Sequence, residues 1–380
     1  MTVKVGVVID PWDFPYNGTV VSTRRFVAAL SGQINFRLLA TPHTEIAPDH
    51  RMRTFPRLSI PGFNGIINSM KVPLANPWGS DVDIDGALQD LDLIHVQFPF
   101  FLGYSACRAA NRLNVPLICS FHVQPENLLR NLGLESTWLA NQLYRLFIWG
   151  LYSRAELVLT PSQFAADQLQ QHGLKTPVKV LSNGVPSEFF NLQRVPSDDG
   201  TFRLLSVGRL APEKHQHTIL EAVAGSKFRD RIQIRMIGTG PLQQKLELKA
   251  QQLGLNAKIG PVDDETLKHC YQSADLFVHG GEIELEGMSV LEAMAAGNAV
   301  LVSDSDNSAT LEFVTDQDNQ FRQGDVVNLR EKIDRWLADP EARVRAGISN
   351  RERALVRHHQ RSVDQLMEVY TKYAKQNSCA

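Results

Sequence analysis

Four glutamates lie close together in the segment GEIELEGMSVLEAMAAG, which covers residues 281–297. They are Glu282, Glu284, Glu286 and Glu292. Neighbouring carboxylates raise one another's pKa, so a cationic partner is expected elsewhere in the chain. Two of the four have the spacing E-x7-E, with Gly287 between them. If a strand ends near residue 280 and a helix begins near Gly287, Glu284 lies in the loop and Glu292 in the second helical turn.

This arrangement suits the binding of a sugar nucleotide. A carboxylate accepts hydrogen bonds from two neighbouring hydroxyls, which fits ribose at Glu292 and a hexose at Glu284. The amides at the start of the helix remain available for phosphate. These amides belong to Gly287, Met288 and Ser289. For Glu286 and Glu282, simple complementation of the helix dipole is the favoured alternative.

Two cations follow a predicted strand in the segment SVGRLAPEKH. Arg209 and Lys214 lie in the strand-to-helix loop, where an anion contacts the carboxyl edge of a parallel sheet. A guanidinium and an ammonium group together suit a diphosphate. The alternative is a solvated loop with two ordinary surface cations. Gly240 in the turn IGTGP and Lys258 in the next strand are further candidates for the donor site, where they would affect its shape.

The first half of the chain offers weaker candidates. Gly18 follows the first strand and opens a helix, so a phosphate could approach the backbone closely. His122 in FHVQPEN comes directly after a buried strand and could contact a sugar hydroxyl or assist proton movement. His95 has a similar but weaker position. A structural role is the alternative for both histidines.

Several classes of function are excluded or disfavoured. The chain carries 39 Lys+Arg and 41 Asp+Glu, which gives no global field for nucleic acid. Neither a GxxxxGK[ST] phosphate loop nor a cysteine spacing typical of a metal site occurs in the sequence. The D-x-D pattern in DVDID precedes a helix and is interpreted as N-capping. We therefore expect no metal and no other cofactor. Because the sequence shows neither a signal peptide nor an apolar run of membrane-spanning length, a cytoplasmic protein is expected.

Short apolar runs alternate with amphipathic stretches along most of the chain, which is typical of parallel α/β sheets. The pattern predicts two Rossmann-like domains with parallel sheets facing a central cleft. The predicted domains are residues 1–184 and residues 200–360. The intervening segment VPSEFFNLQRVPSDDG is interpreted as a linker, and residues 361–380 as a C-terminal helix.

Together these motifs resemble the retaining glycosyltransferases of GT-B fold, group 1 type. The resemblance rests on the glycine of the first loop, on G-R-x4-K and on E-x7-E followed by EAMAAG, in the family's order. It implies a metal-independent hexosyltransferase, with a nucleotide-diphospho-sugar in the second domain and an acceptor in the first. It also implies a C-terminal helix that packs back on the first domain. Arg209 and Lys214 would then stabilise the leaving diphosphate.

A narrower resemblance is to bacterial lipid glucosyltransferases that form glucosyl diacylglycerols or sterol glucosides. It rests on FHVQPENL, on DLFVHGGEIELEGMSVLEAMAAG with Glu286, and on VSDSDNSAT. It implies UDP-glucose, a lipid acceptor and peripheral attachment to the inner face of the membrane. Cationic and aromatic side chains in residues 51–78 suit an anionic lipid surface. Those assigned to the acceptor and membrane are Arg51, Arg53, Arg57, Phe63, Lys71 and Trp78.

A second aromatic segment, WLANQLYRLFIWGLY, is better explained as a buried core helix. For function, the closest alternative is the same chemistry on a soluble glycan or a lipopolysaccharide precursor. A sugar-nucleotide epimerase or a non-catalytic sugar-nucleotide-binding regulator are further alternatives, but Arg209, Lys214, Glu284 and Glu292 together favour an enzyme. The epimerase would need no acceptor, so product analysis would distinguish it.

Overall fold

The computed structural model describes residues 2–12, 17–41, 51–56, 83–195 and 199–376. The chain divides into two compact units. Unit 1 comprises Met1–Ser182 and Ser362–Ala380, and unit 2 comprises Asn183–Arg361. Each unit contains one sheet with its own core, and each is described by itself.

Unit 1 contains a parallel sheet of seven strands. The strands are Val3–Ile9 (β1), Ile34–Ala40 (β2), Met52–Thr54 (β3), Leu93–Val96 (β4), Leu117–Ser120 (β5), Leu157–Thr160 (β6) and Val178–Val180 (β7). Their order is β3-β2-β1-β4-β5-β6-β7, so the direction of strand addition reverses beside β1. The helices are Gly18–Leu30 (α1), Ile84–Leu88 (α2), Phe101–Leu113 (α3), Pro125–Asn131 (α4), Thr137–Gly150 (α5) and Gln163–Gln171 (α6).

Unit 2 repeats this architecture with six parallel strands. The strands are Phe202–Val207 (β8), Ile232–Ile237 (β9), Ala257–Gly260 (β10), Leu276–His279 (β11), Val300–Ser303 (β12) and Gln320–Phe321 (β13). Their order is β10-β9-β8-β11-β12-β13, which reverses between β8 and β11. The helices are Ser187–Phe190 (α7), Gln216–Ala224 (α8), Gln243–Gln252 (α9), Asp264–Ser273 (α10), Met288–Ala295 (α11), Val326–Ala338 (α12) and Pro340–Ala354 (α13).

The predicted parallel α/β architecture is confirmed, and its physical basis is visible in the burial of the strands. Strands β4, β5, β6, β11 and β12 are buried at every position. Helices cover both faces of such sheets, so these strands are continuous apolar runs rather than alternating ones. In both units the reversal of strand order leaves a crevice at the carboxyl ends of two neighbouring strands, where ligands of such folds bind.

The last helix, His359–Gln376 (α14), begins in unit 2 and continues in unit 1. Its apolar side chains join the core of unit 1 around β1 and β2. These are Val363, Leu366, Val369 and Tyr370. Tyr370 also hydrogen-bonds to Nδ1 of His95 at 2.8 Å, and Nε2 of His95 lies 2.7 Å from Ser120 Oγ. His95 is therefore a buried structural histidine that joins β4, β5 and α14.

The segment interpreted as a linker is part of unit 2 instead. It contains α7, and Phe189, Phe190 and Leu192 are buried in the core of that unit. Turn-forming residues had suggested a linker, but two adjacent phenylalanines bury too much apolar surface to remain in solvent. The structure also adds the short strands β3 and β13 and the helix α4, for which Pro125 occupies the first turn.

Two further sequence interpretations concern local structure. Asp83 caps α2 by accepting a hydrogen bond from the Gly86 amide at 2.7 Å, which confirms N-capping for this carboxylate. The aromatic segment of α5 was expected to be buried, and this is only half correct. Tyr144 and Phe147 are buried, whereas Trp138 is 67% and Trp149 is 71% exposed.

Candidate functional site

The loop after β8 holds Arg209 through a buried carboxylate. Glu213 has no exposed surface, and its Oε1 accepts hydrogen bonds from Nη2 of Arg209 at 2.6 Å and from Nε at 3.2 Å. The Arg209 side chain keeps 30% of its surface exposed. The guanidinium is thus oriented from the protein side and still accessible to an anion. Sequence reasoning missed Glu213, although its i,i+4 spacing from Arg209 is the signal that would have indicated the pair.

Glycines of the next loop let this segment pack closely. A Cβ atom on Gly240 would lie 2.2 Å from the carbonyl oxygen of Leu210, and one on Gly238 would lie 2.0 Å from that of Gly208. The Leu210 amide donates to Thr239 at 2.9 Å, which fixes the contact. Gly240 therefore supports the loop that carries Arg209, while its direct role in donor binding stays a prediction.

Lys214, Glu284 and His279 form a compact cluster where β8 and β11 end. The Lys214 ammonium donates to Oε1 of Glu284, and Nε2 of His279 lies 2.7 Å from the same oxygen. An ionised carboxylate only accepts hydrogen bonds, so the imidazole proton lies on Nε2. Burial raises the pKa of Glu284, but the Lys214 charge and the hydrogen bonds outweigh it and lower the pKa to about 2. Glu284 is therefore ionised at neutral pH.

Two consecutive glycines make this cluster possible. A Cβ atom on Gly281 would lie 2.3 Å from Nε2 of His279 and 3.0 Å from Oε1 of Glu284. A Cβ atom on Gly280 would lie 3.0 Å from the carbonyl oxygen of Lys214. The first two residues after β11 therefore have to be small, so that the loops following β8 and β11 can touch.

Glu282, whose partner the sequence does not indicate, pairs with His215. Its Oε2 lies 2.9 Å from Nε2 of His215, and the two side chains are each 21% exposed. The Glu282 amide donates to the carbonyl oxygen of Glu213 at 2.8 Å. His215 itself adopts the left-handed conformation, with φ of 47°. This pair connects the loop after β11 to the end of the loop after β8.

Glu286 also has a long-range partner that the sequence did not indicate. It is 4% exposed, and its carboxylate accepts hydrogen bonds from the backbone amide and from Nδ2 of Asn183, the latter at 2.6 Å. Asn183 is the first residue of unit 2. Glu286 thus anchors the beginning of the unit to the loop before α11.

The start of α11 has the geometry of an anion site. Gly287 caps the helix with φ of 80° and supplies no side-chain acceptor, and the first amides of a helix have no acceptor within it. Met288 and Ser289 form its first turn and are half-buried. One turn later, Tyr271 donates its hydroxyl to Oε2 of Glu292 at 3.1 Å. Gly287 and Ser289 therefore lie at the start of α11 and Glu292 lies in its second turn, after the cluster around Glu284.

The structure does not join every predicted residue to this cluster. Lys258 lies inside β10 and is exposed, two residues before the strand ends. In unit 1, Gly18 is the first residue of α1, but the Asn17 side chain already accepts from the amides of Thr19 and Val20 at 3.0 and 3.3 Å. Those two amides are therefore occupied in the present conformation.

The remaining predicted residues belong to unit 1. His122 follows β5 and is half-buried, and burial lowers its pKa to about 4, so the imidazole is neutral at pH 7. Arg51 precedes β3 and Arg53 lies within it, and both are exposed, whereas Phe55 is 7% exposed and packs inward. The other residues assigned to the acceptor and membrane lie outside the described residues. These are Arg57, Phe63, Lys71 and Trp78.

The depressed pKa of Glu284 leads to a prediction about acid stability. Its folded value of about 2 lies below the ordinary 4.5, so ionisation stabilises the fold above pH 4.5 and this contribution disappears as pH falls toward 2. The shift corresponds to about 3 kcal/mol at neutral pH. We expect Glu284→Gln to reduce the free energy of urea unfolding at pH 7 and to approach the parent protein toward pH 2. Glu341→Gln, at an 86% exposed position, is the control; equal losses at all pH values would contradict the assignment.

Comparison with known proteins covers both units. The family model described as Glycosyl transferases group 1 matches residues 188–353, and the model described as Glycosyltransferase Family 4 matches residues 16–189. The first match contains the cluster around Glu284 and the second contains His122.

Curated relatives act on different substrates. The GDP-mannose-dependent alpha-mannosyltransferase of Mycolicibacterium smegmatis is 32% identical over 223 residues, which are 57% of this chain and 56% of that protein. The alpha-monoglucosyldiacylglycerol synthase of Streptococcus pneumoniae is 26% identical over 227 residues, with 56% and 51% covered. Sulfoquinovosyl transferase SQD2 of Arabidopsis thaliana is 29% identical over 300 residues, with 74% and 57% covered. The chain spans about half the length of these relatives.

Solved structures match the fold over nearly the whole chain. Anabaena HepE, in complex with UDP-glucose, has a TM-score of 0.73 at 17% identity and covers 97% of this chain and 99% of its own. Sucrose-phosphate synthase from Thermosynechococcus elongatus has a TM-score of 0.72 at 16% identity, with 97% and 98% covered. At this identity the likeness concerns the fold alone, and it confirms the GT-B fold predicted from the sequence.

Two features of the described residues concern metals and membranes. No group of three or more His, Cys, Asp or Glu side chains among them is arranged to hold a metal ion. None of the helices in the same residues combines the length and the apolar character required to cross a bilayer.

Proposed function

Since the chain belongs to the group 1 glycosyltransferases of GT-B fold, we propose that it transfers a hexose, with retention of configuration, from a nucleotide-diphosphate sugar to a lipid hydroxyl. Glucose from UDP-glucose is the donor we favour, and diacylglycerol or a sterol is the acceptor class. The proposed reaction takes place at a membrane surface and uses no metal. The observation that carries the proposal is the Lys214–Glu284 pair together with the Arg209–Glu213 pair, since both cations lie in the loop after β8, where the strand order of unit 2 reverses.

The cluster supports diphosphate departure because it presents oriented cations in a partly buried setting. The Lys214 side chain is 13% exposed, which strengthens its interaction with an incoming anion relative to a solvated lysine. In the unliganded chain, Glu284 neutralises this ammonium. A bound diphosphate would supply a second anion at Lys214, with Arg209 and the first amides of α11 as additional donors. Groups fixed in place before the charge develops stabilise a departing anion with little reorganisation.

Glu284 is proposed to accept hydrogen bonds from the hexose hydroxyls. With a pKa of about 2 it has no proton to give at neutral pH, so general-acid catalysis is not assigned to it. In the reaction, the bond between the anomeric carbon and the diphosphate oxygen breaks, and the acceptor oxygen bonds to that carbon. The acceptor proton passes to the departing diphosphate. His122, which is neutral at pH 7, is proposed to line the reaction centre near the acceptor hydroxyl.

GDP-mannose is the main alternative to UDP-glucose as the donor. Similarity to the alpha-monoglucosyldiacylglycerol synthase supports glucose and a lipid acceptor. Glu286, in the loop before α11, supports the same choice through the narrower resemblance. Similarity to the GDP-mannose-dependent alpha-mannosyltransferase supports mannose from GDP-mannose instead. Both donors carry the diphosphate and the hexose hydroxyls that the cluster suits.

One experiment tests donor and acceptor together. The purified chain is incubated with a panel of sugar nucleotides, including UDP-glucose and GDP-mannose, in the presence of a lipid extract, and the products are identified by mass spectrometry. We expect a hexosyl lipid from UDP-glucose. A product from GDP-mannose alone would transfer the assignment to mannose. Conversion of the donor without any acceptor product would contradict transfer to a lipid.

A further inference from the structure

The outward side of α5 exposes large apolar side chains. Trp138 and Trp149 are 67% and 71% exposed, and Leu146 is 48% exposed. The opposite side of the same helix packs into unit 1 through Ala140, Tyr144, Phe147 and Ile148. A helix that is apolar on both sides usually has apolar surroundings on both. The inner side has such surroundings, and the outer side faces solvent in the isolated chain.

These side chains share one side of the helix. Trp138, Arg145 and Trp149 are seven and four residues apart, which places them on one side of an α-helix over a length of about 16 Å. Leu146 adjoins them. We refer to these four residues as the α5 face. Leu132 and Leu134, 39% and 46% exposed, precede it in the loop after α4.

The clustering of these side chains distinguishes the α5 face from ordinary surface. Among the described residues, fourteen large apolar side chains are exposed, and five of them lie between positions 132 and 149. Scattered exposed apolar residues are normal, but a contiguous apolar patch indicates an interaction site. Trp138 and Trp149 are the two tryptophans among these fourteen side chains, so the α5 face is the candidate interaction surface.

The charge around the α5 face is positive. Residues 130–156 contain three arginines, Arg130, Arg145 and Arg154, and two glutamates, Glu135 and Glu156. Arg145, Arg154 and Arg108 on α3 are exposed. Helix α3 runs beside the end of α5, because a Cβ atom on Gly150 would lie 2.4 Å from Tyr104 of that helix. The flanking acid Glu135 is paired with Arg130 at 2.5 Å.

We propose that the α5 face binds the surface of a bilayer that contains anionic lipid. Tryptophan concentrates at the headgroup level of membranes because its ring is apolar and its N–H is polar. Arginines beside it gain from the negative potential of anionic headgroups. Association of two copies through this face would bring Arg145 of each copy toward the other, and like charges in an interface are unfavourable. The combination of tryptophans and arginines on a convex helix therefore favours a lipid surface.

The test measures binding of the full chain to vesicles, without a sugar donor. Vesicles of phosphatidylcholine with and without phosphatidylglycerol are sedimented, and the bound protein is quantified over a salt series. We expect binding that requires phosphatidylglycerol and weakens with salt. Because interfacial binding scales with the apolar area that is buried, Trp138→Ala/Trp149→Ala should weaken vesicle affinity by about tenfold or more. Arg145→Glu should weaken it by about fivefold or more, since each cation near the surface contributes.

The matched control is Val344→Ala/Ile348→Ala, which removes exposed apolar side chains from α13 in unit 2, at positions 63% and 60% exposed. It should bind vesicles as the parent does. Circular dichroism of all variants checks that they are folded. Equal sedimentation of the tryptophan variant and the parent would overturn the proposal. So would a parent chain that binds no vesicles, in which case a protein partner becomes the occupant to seek.

The proposal rests on the proposed function in placing the chain at a membrane surface, but the two are measured separately. Transfer to a detergent-dispersed acceptor does not require a bilayer, so it can be measured on the same variants. Loss of vesicle binding with intact transfer would confirm the division of roles. Absence of transfer with intact vesicle binding would remove the proposed reaction and leave the α5 face as a membrane surface.

Discussion

Replacing Lys214 by alanine should lower kcat for sugar transfer by about 10²- to 10³-fold, the usual effect of removing one oriented donor to a developing anion. The ammonium is the group that the structure holds beside Glu284 at the reversal of strand order, and it is largely shielded from water. If it stabilises the leaving diphosphate, most of the loss appears in kcat rather than in KM. Steady-state kinetics with saturating donor and acceptor measure the effect.

Loss of any ion pair could disturb the unit, so the Lys214 experiment needs a matched lysine. Lys249 pairs with Glu221 in the same unit and has a side chain that is 33% exposed. Lys249→Ala should leave kcat within about twofold of the parent, because exposed ion pairs contribute little. Comparable thermal stability of the Lys214 variant would show that it is folded. Parent-like kcat in a folded Lys214→Ala protein would remove the assignment to the diphosphate.

Replacing Gly287 by alanine should reduce the free energy of unfolding by about 2–4 kcal/mol, through two separate costs. The residue has φ of 80°, a conformation that strains any side chain. A Cβ atom there would also lie 2.6 Å from Cγ2 of Thr310. Urea unfolding of the variant measures the sum. Since Gly287 caps α11, we also expect weaker donor binding.

A second substitution separates the two costs at Gly287. Thr310→Ser deletes the methyl group that a Cβ atom would meet and keeps the hydroxyl that contacts Ser308 at 2.9 Å. In the Gly287→Ala background it should recover part of the lost stability, while the strain of the left-handed conformation remains. Stability of Gly287→Ala equal to that of the parent protein would show that the turn relaxes freely. The requirement for glycine at this position would then be wrong.

The sequence predicted the fold because its signals were local. Continuous apolar runs such as those of β5 and β11 identify strands buried on both faces, and alternation with helices identifies parallel sheets. The errors arose where local signals were weak. Turn formers hid α7, whose burial depends on packing against distant residues, and β3 and β13 are too short to show a pattern.

The sequence predicted which residues belong to the candidate site, but it did not predict which of them form pairs. The spacing of Arg209, Lys214 and Glu284 indicated phosphate and sugar chemistry. It did not indicate that Lys214 pairs with Glu284, which is 70 positions away. Nor did it identify Glu213 and His279, which orient Arg209 and Glu284. A carboxylate next to a lysine in sequence looks like an ordinary surface charge until the burial of its side chain is known.

By itself, the sequence determined the order and type of most of the longer helices and strands, the positions of the cations and carboxylates after strands, and the resemblance to group 1 glycosyltransferases. The elements and the charge positions follow from periodicity and spacing, and the resemblance follows from the motifs; all of these depend on neighbours along the chain. Only the tertiary structure decided which charges form pairs and why positions 280 and 281 have no room for a side chain. It also decided that Trp138 and Trp149 are exposed while Tyr144 is buried. Those outcomes depend on which loops and helix faces the packing of a whole unit brings together, and no local pattern of residues specifies them.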